Sequence, residues 1–503
     1  MTDLPFTTRF DLGVDVPPAR ELGRIHVLAA GGAGMSAIVR LFLDGGLVVS
    51  GSDAQDSAVL DSLRERGATI HVGHDPAHVA GADTVVVSSA VREENVELAA
   101  ARTAGIRILH RSQALASLMS GHARVAVAGA NGKTTTTAML TVALLAAGAD
   151  PSFAIGGELV GLGVNARLGS GEAFVVEADE SDGTFLAYRP DVAVITNVQP
   201  DHLDFYGTFD VVRAAYQMFA ESGSARLLVT CSDDPGAWDL ACARREAGAL
   251  VVTYGTDDRA DLRLVDVVGE GLSGRARLAV RGTDSPVLEG AEPGERARAA
   301  VEALTTLDGL GLEVALPGVH NLLDAAAALL AAVVGLGADP QQVLAGLAGY
   351  SGTRRRFEAK GEVGGIRVVD DYAHNPAKVE AVVAAGRQVS APGRLVVCFQ
   401  PHLFSRTRDF ADRFAQALSG ADVVVLTDIY PAREDPMPGV SSELVSAPLA
   451  ATGTTVHDVV GLDAAVARLR DVVRPGDLVL TVGAGSVTTV GPRLLEELAG
   501  VST

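Results

Sequence analysis

The sequence predicts an α/β protein made of three consecutive α/β domains. Short aliphatic runs alternate with helical stretches along the whole chain, which is the pattern of parallel sheets flanked by helices. Hydrophobic residues make up 48% of the sequence and aromatic residues only 4%, and the central strands of parallel sheets are mostly aliphatic. The length of 503 residues matches about three domains of roughly 150 residues each.

The first domain is predicted over residues 1–118 and has a Rossmann-like pattern. Its strands are predicted at 24–29, 47–53, 69–72 and 84–88, with a helix at 57–66. A glycine turn follows the first strand and opens a helix, with the sequence Gly31-Gly32-Ala33-Gly34-Met35-Ser36. Together with Asp53, this turn indicates a diphosphate at a helix N-terminus, although Ala29 stands where the usual fingerprint has glycine. A tight turn without a ligand is the alternative.

The second domain is predicted over residues 119–349 and contains the strongest motif. A strand at 124–129 leads into a helix through Gly129, Ala130, Asn131, Gly132, Lys133, Thr134 and Thr135. In this context backbone N–H groups can surround ATP phosphates, Lys133 can reach between the β- and γ-phosphates, and Thr134 can ligate Mg²⁺. Only two residues separate the glycines, where the common phosphate loop has four. A glycine turn with a chance Lys-Thr pair is the alternative.

Acidic side chains follow two further strands of this domain. Strands are predicted at 174–182, 191–202, 227–234 and 250–255, short strands or an insertion at 256–316, and a helix at 322–337. The acids at the first two strand ends are Glu177, Asp179, Glu180, Asp182 and Asp201, with His202 beside them. Strand-end acids hold metal ions in phosphate-loop enzymes. A structural role for His202, and helix N-caps at Glu180 and Asp182, are the alternatives.

The third domain is predicted over residues 350–503, and polar groups follow its strands as well. Its strands are predicted at 367–372, 394–400, 422–430 and 477–485. An arginine cluster at 354–356, the polar run at 370–376, and segments 399–402 and 406–408 lie around them. Ligands of open parallel sheets bind beyond the carboxyl ends of strands, so these groups indicate a site. Three solvent-facing arginines are the alternative for the cluster.

Charge and cysteine content exclude several classes of protein. The chain carries 41 Lys and Arg against 62 Asp and Glu, a net charge of −21, so no nucleic acid or anionic membrane is expected as a partner. Cys231, Cys242 and Cys398 have neither disulfide nor zinc spacing. No signal-peptide pattern opens the sequence, and its longest apolar stretch, at 325–338, is too short for a membrane span. A cytoplasmic protein is therefore expected.

Taken in this order, the motifs resemble those of the Mur ligase family along nearly the whole chain. The matching segments are GGAGMS (31–36), GKTTTT (132–137), EADESDGTFL (177–186), DHLDFYG (201–207), HN (320–321), RRRFE (354–358), DDYAHNP (370–376), FQPH (399–402), RTRD (406–409) and GAGSV (483–487). The resemblance implies a Rossmann-like N-terminal domain for a UDP-sugar, a phosphate-loop ATPase central domain and a Rossmann-like C-terminal domain for an amino acid. It implies an ADP-forming ligase that joins L-alanine to the lactyl carboxylate of UDP-N-acetylmuramate through an acyl phosphate, in peptidoglycan precursor synthesis.

The resemblance also implies roles for individual residues. The implied catalytic residues are Lys133, Glu177, His202, His374 and Arg406. The implied ATP-binding residues are Gly129, Ala130, Asn131, Gly132, Lys133, Thr134, Thr135, Asn321, Arg355, Arg356 and Asp371. The implied UDP-sugar residues are Gly31, Gly32, Ala33, Gly34, Met35, Ser36, Ser52 and Asp53. The implied ligands of Mg²⁺, or of Mn²⁺ in its place, are Thr134, Glu177 and His202. Tyr372 is expected beside the incoming L-alanine, and a monomer or weak homodimer is expected.

The chain departs from the family pattern at a few positions. Asn131 and Asn375 stand where many members have histidine, Leu403 where some have arginine, and Val319 where a basic residue is common. These departures bear on the choice among L-alanine, glycine and L-serine more than on the reaction class. The alternatives are a murein peptide ligase that adds a peptide to the same UDP-sugar, and a degenerate nucleotide-binding paralogue. A nicotinamide dehydrogenase leaves the GKTTTT and EADESD segments unexplained.

Overall fold

Three sheets organise the chain, in the order in which the sequence predicts them. The computed structural model describes residues 4–12, 16–223, 226–270, 273–281, 294–432 and 434–501. These residues form two compact units. The first unit comprises 1–267, 275–314 and 320–351, and the second comprises 268–274, 315–319 and 352–503. The first two predicted domains thus lie together in the first unit, and their boundary at 118 stays a prediction.

The first sheet has five parallel strands. They are β1 (Ile25–Leu28), β2 (Val49–Asp53), β3 (Thr69–Val72), β4 (Thr84–Val87) and β5 (Arg107–His110), in the spatial order β3-β2-β1-β4-β5. The helices that accompany them are α1 (Ala33–Asp44), α2 (Ala58–Glu65), α3 (Val96–Thr103) and α4 (Arg111–Leu118). Strand β1 is buried along its whole length, including His26 among its aliphatic residues.

The second sheet is the largest and has ten strands. They are β6 (Ala123–Ala128), β7 (Ser152–Leu159), β8 (Val164–Arg167), β9 (Ala173–Glu177), β10 (Val192–Ile195), β11 (Leu227–Cys231), β12 (Val251–Gly255), β13 (Leu262–Glu270), β14 (Ser273–Val280) and β15 (Gly311–Val314). Their order is β15-β14-β13-β12-β11-β10-β6-β9-β7-β8. The helices are α5 (Lys133–Ala146), α6 (Leu203–Tyr206), α7 (Phe209–Glu221), α8 (Pro235–Glu246), α9 (Glu295–Thr305), α10 (Val319–Leu330) and α11 (Pro340–Ala348).

The register of this sheet brings three strand ends to one edge. β6 runs parallel to β9 and to β10, with Val127 paired to Glu177 and Ala128 paired to Ile195. The glycine-lysine loop follows β6, the EADESD segment begins with the last residue of β9, and Asp201 and His202 come after β10. The carboxyl ends of parallel strands meet at the same edge, so the topology places these segments together.

The third sheet belongs to the second unit and has six strands. They are β16 (Glu358–Val363), β17 (Ile366–Asp371), β18 (Leu395–Phe399), β19 (Val423–Leu426), β20 (Thr455–Asp458) and β21 (Leu478–Val482), in the order β16-β17-β21-β18-β19-β20. β16 and β17 pair in antiparallel fashion, and the other neighbouring strands of this sheet run parallel. The helices are α12 (Pro376–Ser390), α13 (Phe404–Leu418), α14 (Glu443–Ala451), α15 (Leu462–Val472) and α16 (Val490–Val501). Apolar cores cover both faces of the sheet.

The predicted strands are confirmed in place, but several are shorter than expected. The runs at 174–182 and 191–202 end as strands at Glu177 and Ile195. Beyond the first, Asp182 accepts hydrogen bonds from the backbone and hydroxyl of Thr184 in a local turn, but Gly183 is the N-cap of the 3₁₀ turn over Thr184–Tyr188, so the N-cap alternative for Asp182 is wrong. Residues 256–316 contain β13, β14, α9 and β15, with 271–272 and 282–293 outside the described residues. Within the part of the chain that the structure describes, no helix is both long and apolar enough to cross a membrane.

Candidate active site

The loop between β6 and α5 requires both of its glycines. Gly129 has φ +138°, and a Cβ there would lie 2.0 Å from the Thr196 hydroxyl oxygen. Gly132 has φ +85°, and a Cβ there would lie 2.4 Å from a carboxylate oxygen of Asp324. Backbone conformation and space therefore both exclude larger residues. The sequence gives no signal for Asp324 as the group beneath the loop, because it lies on α10 far along the chain.

Asn131 is fixed by amide and hydroxyl groups that follow β10. Its backbone N–H donates to Asn197 Oδ1 at 2.9 Å, and its side chain donates to Gln199 Oε1 at 3.2 Å. Its carbonyl accepts from Thr196 Oγ1 at 2.5 Å and from Asn197 Nδ2 at 2.9 Å. The loop is thus held in shape by protein groups alone, which is the preorganisation a phosphate loop needs.

Lys133 is held at the mouth of this loop by a buried carboxylate. Its Nζ donates to the Gly129 carbonyl at 2.5 Å and to Glu180 Oε1 at 2.9 Å. Burial alone would lower the pKa of Lys133, but the neighbouring Glu180 and Asp179 carboxylates raise it, so the ammonium group stays charged. The sequence indicates Glu180 only as one of several strand-end acids, because spacing does not show which acid of EADESD turns toward the lysine.

Thr134 and Glu177 form the second pair of the site. The Thr134 hydroxyl donates to Glu177 Oε1 at 2.9 Å, and the Gly156 backbone N–H donates to Glu177 Oε2 at 2.7 Å. Two of the three predicted metal ligands therefore lie in direct contact. Hydroxyl and carboxylate oxygens at the start of a phosphate-loop helix suit a hard ion such as Mg²⁺.

His202 belongs to a neighbouring cluster with Glu180 and Asp201. One candidate ligand atom from each of these residues lies within 4.8 Å of the others. His202 Nε2 is 3.8 Å from Glu180 Oε1 and 3.9 Å from Asp201 Oδ2. Glu180 Oε2 is buried with no hydrogen-bond partner, and a cation would satisfy it. His202 has φ +51°, in the left-handed region, where it precedes α6. These residues fit a divalent ion.

Two further acids of the same segment contact the first sheet within the first unit. Asp179 accepts from Arg111 at 2.6 Å, and Asp182 accepts from Ser89 and lies 3.6 Å from His110 Nε2. Burial would raise the pKa of Asp179, but the Arg111 guanidinium lowers it well below its usual range. These contacts join the glycine-turn domain to the loop segment. Ser89, His110 and Arg111 lie in none of the motif segments, so the sequence did not indicate them.

Some of the residues predicted to bind the UDP-sugar are exposed in the glycine turn of the first sheet. Gly32, Ala33 and Gly34 are exposed at the N-terminus of α1, where backbone N–H groups can meet an anion. Gly31 donates its N–H to Asp53 Oδ2 at 2.9 Å, which ties Asp53 to the turn. Ala29 has φ +57°, so alanine adopts the conformation for which the usual fingerprint has glycine.

Met35, Ser36 and Ser52 are buried and turn away from the exposed face of the turn. Met35 and Ser36 lie on the inner face of α1, where the Ser36 hydroxyl donates to the Ala33 carbonyl at 3.2 Å. Ser52 is fully buried and donates to Glu97 Oε2. Direct ligand contact through these three side chains stays a prediction; in this structure they support the turn from behind.

The arginines of the second unit stack around Tyr372. The guanidinium carbons of Arg355 and Arg356 lie 4.8 Å and 5.6 Å from the centre of the Tyr372 ring. Arg355 also donates to the carbonyl groups of Gly483 and Gly485 at 2.6 Å and 3.1 Å. Arg355 thereby holds the GAGSV loop, which the sequence indicated only as a motif. These contacts exclude the solvent-facing alternative for Arg355 and Arg356, whereas Arg354 is exposed.

A histidine pair and an arginine follow β17 and β18. His374 Nδ1 lies 2.9 Å from the Tyr372 carbonyl, and the His374 and His402 rings meet edge to face at 5.7 Å. Arg406 Nη1 donates to the His374 carbonyl at 3.4 Å and lies 3.5 Å from His402 Nδ1. Burial lowers the pKa of His374 to about 3, so its ring is neutral. With Nδ1–H donated to the carbonyl, Nε2 is an acceptor.

The remaining predicted residues have structural partners. Asp371 accepts from the backbone N–H groups of Phe357 and Ala373 at 2.8 Å and 2.7 Å, and burial raises its pKa. Asn375 caps α12 by accepting from Lys378 N at 2.9 Å, which gives this departure from the family pattern a physical reason. Asn321 is buried on α10, with its side-chain nitrogen 3.2 Å from His320 Nε2.

Fold and site together define an α/β protein with a glycine-lysine loop in its second sheet and a glycine turn at a helix N-terminus in its first. Models of the Mur ligase family match its three parts: the family's catalytic domain over residues 24–123, the middle domain over 127–332 and the glutamate ligase domain over 355–485. The chain belongs to the Mur ligase family.

Relatives with curated names match the chain over nearly its full length. The UDP-N-acetylmuramate–L-alanine ligase of Kineococcus radiotolerans is 53% identical, covering 97% of this chain and 98% of the relative. The protein of that name from Cutibacterium acnes is 47% identical, with the same two shares of coverage. Among solved structures, UDP-N-acetylmuramate–alanine ligase of Thermotoga maritima is similar with a TM-score of 0.75 and 27% identity, covering 95% of this chain and 99% of that one. A murein peptide ligase of Psychrobacter arcticus has a TM-score of 0.65 at 22% identity, covering 95% and 98%, and shares the fold.

Proposed function

We propose that this protein is an ATP-dependent, ADP-forming ligase that joins L-alanine to the lactyl carboxylate of UDP-N-acetylmuramate in peptidoglycan precursor synthesis. The observation that carries the proposal is the match at 53% identity over 97% of the chain to a ligase of that name. The alternative, a murein peptide ligase, is supported only by similarity of fold to a solved structure that is 22% identical. We further propose that the protein acts in the cytoplasm, as a monomer or weak homodimer.

The first chemical step activates the carboxylate, which is a poor acyl donor on its own. Attack of the lactyl carboxylate on the γ-phosphorus of ATP gives an acyl phosphate and ADP. Two anions must approach each other, so positioning and charge neutralisation supply most of the catalysis. Lys133, kept charged by Glu180, is placed at the loop mouth to exchange its contact with the Gly129 carbonyl for phosphate oxygens.

A divalent ion completes the neutralisation of charge. Mg²⁺, when bound, stabilises the negative charge that develops on the phosphates. The residues that would hold it are Thr134 and Glu177, together with the cluster of Glu180, Asp201 and His202. Mn²⁺ accepts the same oxygen and imidazole donors.

The UDP-sugar is assigned to the glycine turn, and the amino acid to the histidine pair of the second unit. The exposed N–H groups at Gly32–Gly34 supply donors for the diphosphate. Arg406 offers a planar guanidinium for the alanine carboxylate. The neutral His374 offers Nε2 as an acceptor for an amine N–H, which orients the amine for attack on the acyl carbon. The C–N bond forms as the bond from the acyl carbon to the phosphate oxygen breaks, so that inorganic phosphate leaves and the amine proton passes to solvent. His374 then positions the nucleophile without itself being charged.

Measurement of ADP release with varied acceptors tests the proposal. With UDP-N-acetylmuramate and ATP fixed, L-alanine, glycine, L-serine and the tripeptide of the peptidoglycan stem are compared as acceptors. We expect release to depend on L-alanine and on the UDP-sugar. Release with the tripeptide but not with L-alanine identifies a murein peptide ligase, and ATP binding without acceptor-dependent release identifies a degenerate paralogue. Either result overturns the proposal.

A further inference from the structure

One arginine of the first sheet lies between the glycine turn and the segment that follows β9. Arg111 is the first residue of α4, directly after β5, so it lies at the same carboxyl edge of the parallel sheet as the turn that follows β1. A Cβ on Gly34 would lie 3.3 Å from Arg111 Nη1. Nη2 of the same guanidinium donates to Asp179 Oδ2 at 2.6 Å. A single side chain thus reaches both features.

The two terminal nitrogens of this guanidinium face different neighbours. Both members of the ion pair are accessible, because 29% of the Arg111 side chain and 42% of the Asp179 side chain are exposed. Nη1 can therefore donate to an anion at the exposed Gly32–Gly34 turn while Nη2 keeps its contact with Asp179. Burial alone would lower the pKa of Arg111, but the Asp179 carboxylate raises it, so the guanidinium stays charged.

Asp179 continues this connection toward the phosphate loop. It directly precedes Glu180, whose Oε1 accepts from Lys133 Nζ at 2.9 Å. The Asp179 carboxylate also contributes to the raised pKa of Lys133. Charges of opposite sign therefore alternate between the glycine turn and the loop, in the order Arg111, Asp179, Lys133 and Glu180. A change that fixes Arg111 acts on a carboxylate next to the ion-pair partner of the loop lysine.

We propose that the Arg111–Asp179 ion pair couples the two nucleotide sites, so that a diphosphate bound at the glycine turn strengthens nucleotide binding at the phosphate loop. A phosphate oxygen on Nη1 fixes the guanidinium, the guanidinium fixes Asp179, and Asp179 holds the segment that carries Glu180. Arg111 is then a positioning residue with respect to the loop. The identity of the diphosphate, as part of the UDP-sugar, rests on the proposed function.

Equilibrium binding of UDP and ADP to the whole chain measures this coupling without turnover. The dissociation constant of ADP with Mg²⁺ is determined without UDP and with saturating UDP. We expect UDP to tighten ADP binding about fivefold in the wild type, and ADP to tighten UDP binding by the same factor, because coupling between two sites is reciprocal. ADP affinity that is unchanged or weaker in the presence of UDP overturns the proposal.

Variants of the ion pair locate the coupling. Arg111→Gln and Asp179→Asn are each expected to reduce the coupling factor to less than about twofold. The matched control, Arg66→Gln, breaks an ion pair of the same 2.6 Å length with Asp44 at the other end of α1, and is expected to keep the wild-type factor. Should Arg111→Gln fail to fold, Arg111→Lys provides the test, because it keeps the charge and loses the planar pair of nitrogens.

The ratio of affinities separates coupling from a structural role. A structural role lowers both affinities or the thermal midpoint and leaves the ratio as it is in the wild type. An unchanged ratio in either variant of the pair, or an equal loss of coupling in Arg66→Gln, overturns the assignment.

This outcome is distinct from that of the acceptor assay. Coupled binding of UDP and ADP without ADP release that depends on L-alanine supports the inference and contradicts the proposed function. Release that depends on L-alanine, with no coupling between UDP and ADP, contradicts only the inference.

Discussion

Lys133 carries the charge on which the first chemical step depends, so its replacement tests the site at the scale of one residue. Lys133→Ala removes the ammonium group held between Gly129 and Glu180. Loss of one preorganised electrostatic group costs roughly 10²–10³ in rate, and we expect a loss of that size in kcat/KM for ATP.

Lys360→Ala is the matched control for this change. Lys360 pairs with Glu358 at 2.7 Å on β16, in the second unit. We expect its steady-state ADP release to remain within twofold of wild type. Near-normal release by Lys133→Ala contradicts the role assigned to that lysine.

Burial lowers the pKa of His374 to about 3, and this leads to a prediction about the pH dependence of the reaction. A lowered pKa keeps the ring neutral at every pH above that value, so His374 gains no proton across the working range. We expect His374→Ala to raise the KM for L-alanine by about tenfold, since one acceptor for the amine is lost. The acid limb of the pH–rate profile is expected to stay at the same pH in the variant. Disappearance or displacement of that limb contradicts a positioning role for a neutral imidazole.

The geometry of the loop between β6 and α5 leads to a prediction about ATP binding by this element. Gly132→Ala places a Cβ at a φ of +85° and 2.4 Å from Asp324 Oδ1, so backbone strain and collision act together. We expect the KM for ATP to rise more than tenfold, since the loop must shift to relieve the contact.

Gly148→Ala separates strain from collision at the other end of the same helix. Gly148 follows α5 with φ +73°, and no heavy atom lies within 4 Å of the place that a Cβ would take. The substitution Gly148→Ala therefore has only a conformational cost, of about 1 kcal/mol, and no steric one. We expect lower thermal stability with an unchanged KM for ATP. Equal KM values in the two variants would show that Asp324 exerts no constraint on the loop.

A buried carboxylate makes a prediction for the whole molecule under acid. Glu97 is fully buried, with His78 Nδ1 at 2.6 Å and His74 Nδ1 at 3.1 Å from its oxygens. Burial alone would raise the pKa of Glu97, but contacts with His26, Ser52, His78 and His74 lower it well below its usual range. A lowered carboxyl pKa stabilises the fold above the unfolded-state value of about 4.3, and this contribution is lost as the pH falls from there toward the folded-state pKa.

Glu97→Gln tests this contribution across pH. We expect the variant to lose about 3 kcal/mol at pH 7, the upper end of the scale for hydrogen bonds to a charged group. The difference in thermal midpoint from wild type is expected to shrink between about pH 5 and pH 3, where the carboxylate gains its proton in the unfolded chain before it does so in the folded protein. A difference that stays constant over this range contradicts the ionised state assigned to Glu97.

The sequence patterns predict the strands of the sheets better than they predict the contacts between side chains. Aliphatic runs mark most parallel strands because burial on both faces demands them, and the ends of β6 and β17 are predicted within one or two residues. The strands β5, β7 and β20, which also pair in parallel, are missed. Strands next to polar runs are predicted too long, since Asp182 directs its segment into a 3₁₀ turn through local hydrogen bonds. The antiparallel strand β16 is missed because its half-exposed sequence lacks an aliphatic run.

The motifs of the site are predictable from the sequence, whereas the partnerships between its residues are not. Lys133, Thr134 and Glu177 lie together as the loop context indicates. Two contacts of the site are not predictable: the ion pair of Glu180 with Lys133, and the position of Asp324 beneath Gly132. Each brings together residues that are far apart in the sequence, so residue spacing within one segment does not indicate it. Ser52 lies at the expected strand end, yet its hydroxyl donates to Glu97. Side chains alternate between the two faces of a strand, and the face that Ser52 occupies is known only once the register of the strand is known.

The set of hydrogen bonds around Asn131 has an evolutionary consequence. One side chain from Asn197 and one from Gln199 satisfy both the backbone and the amide of Asn131. The backbone contacts with Asn197 are open to any residue at position 131, whereas the contact with Gln199 needs a side-chain donor. Across homologues, then, a residue at 131 without a side-chain donor should occur together with a change at 199, whereas the asparagine at 197 should be retained whatever stands at 131.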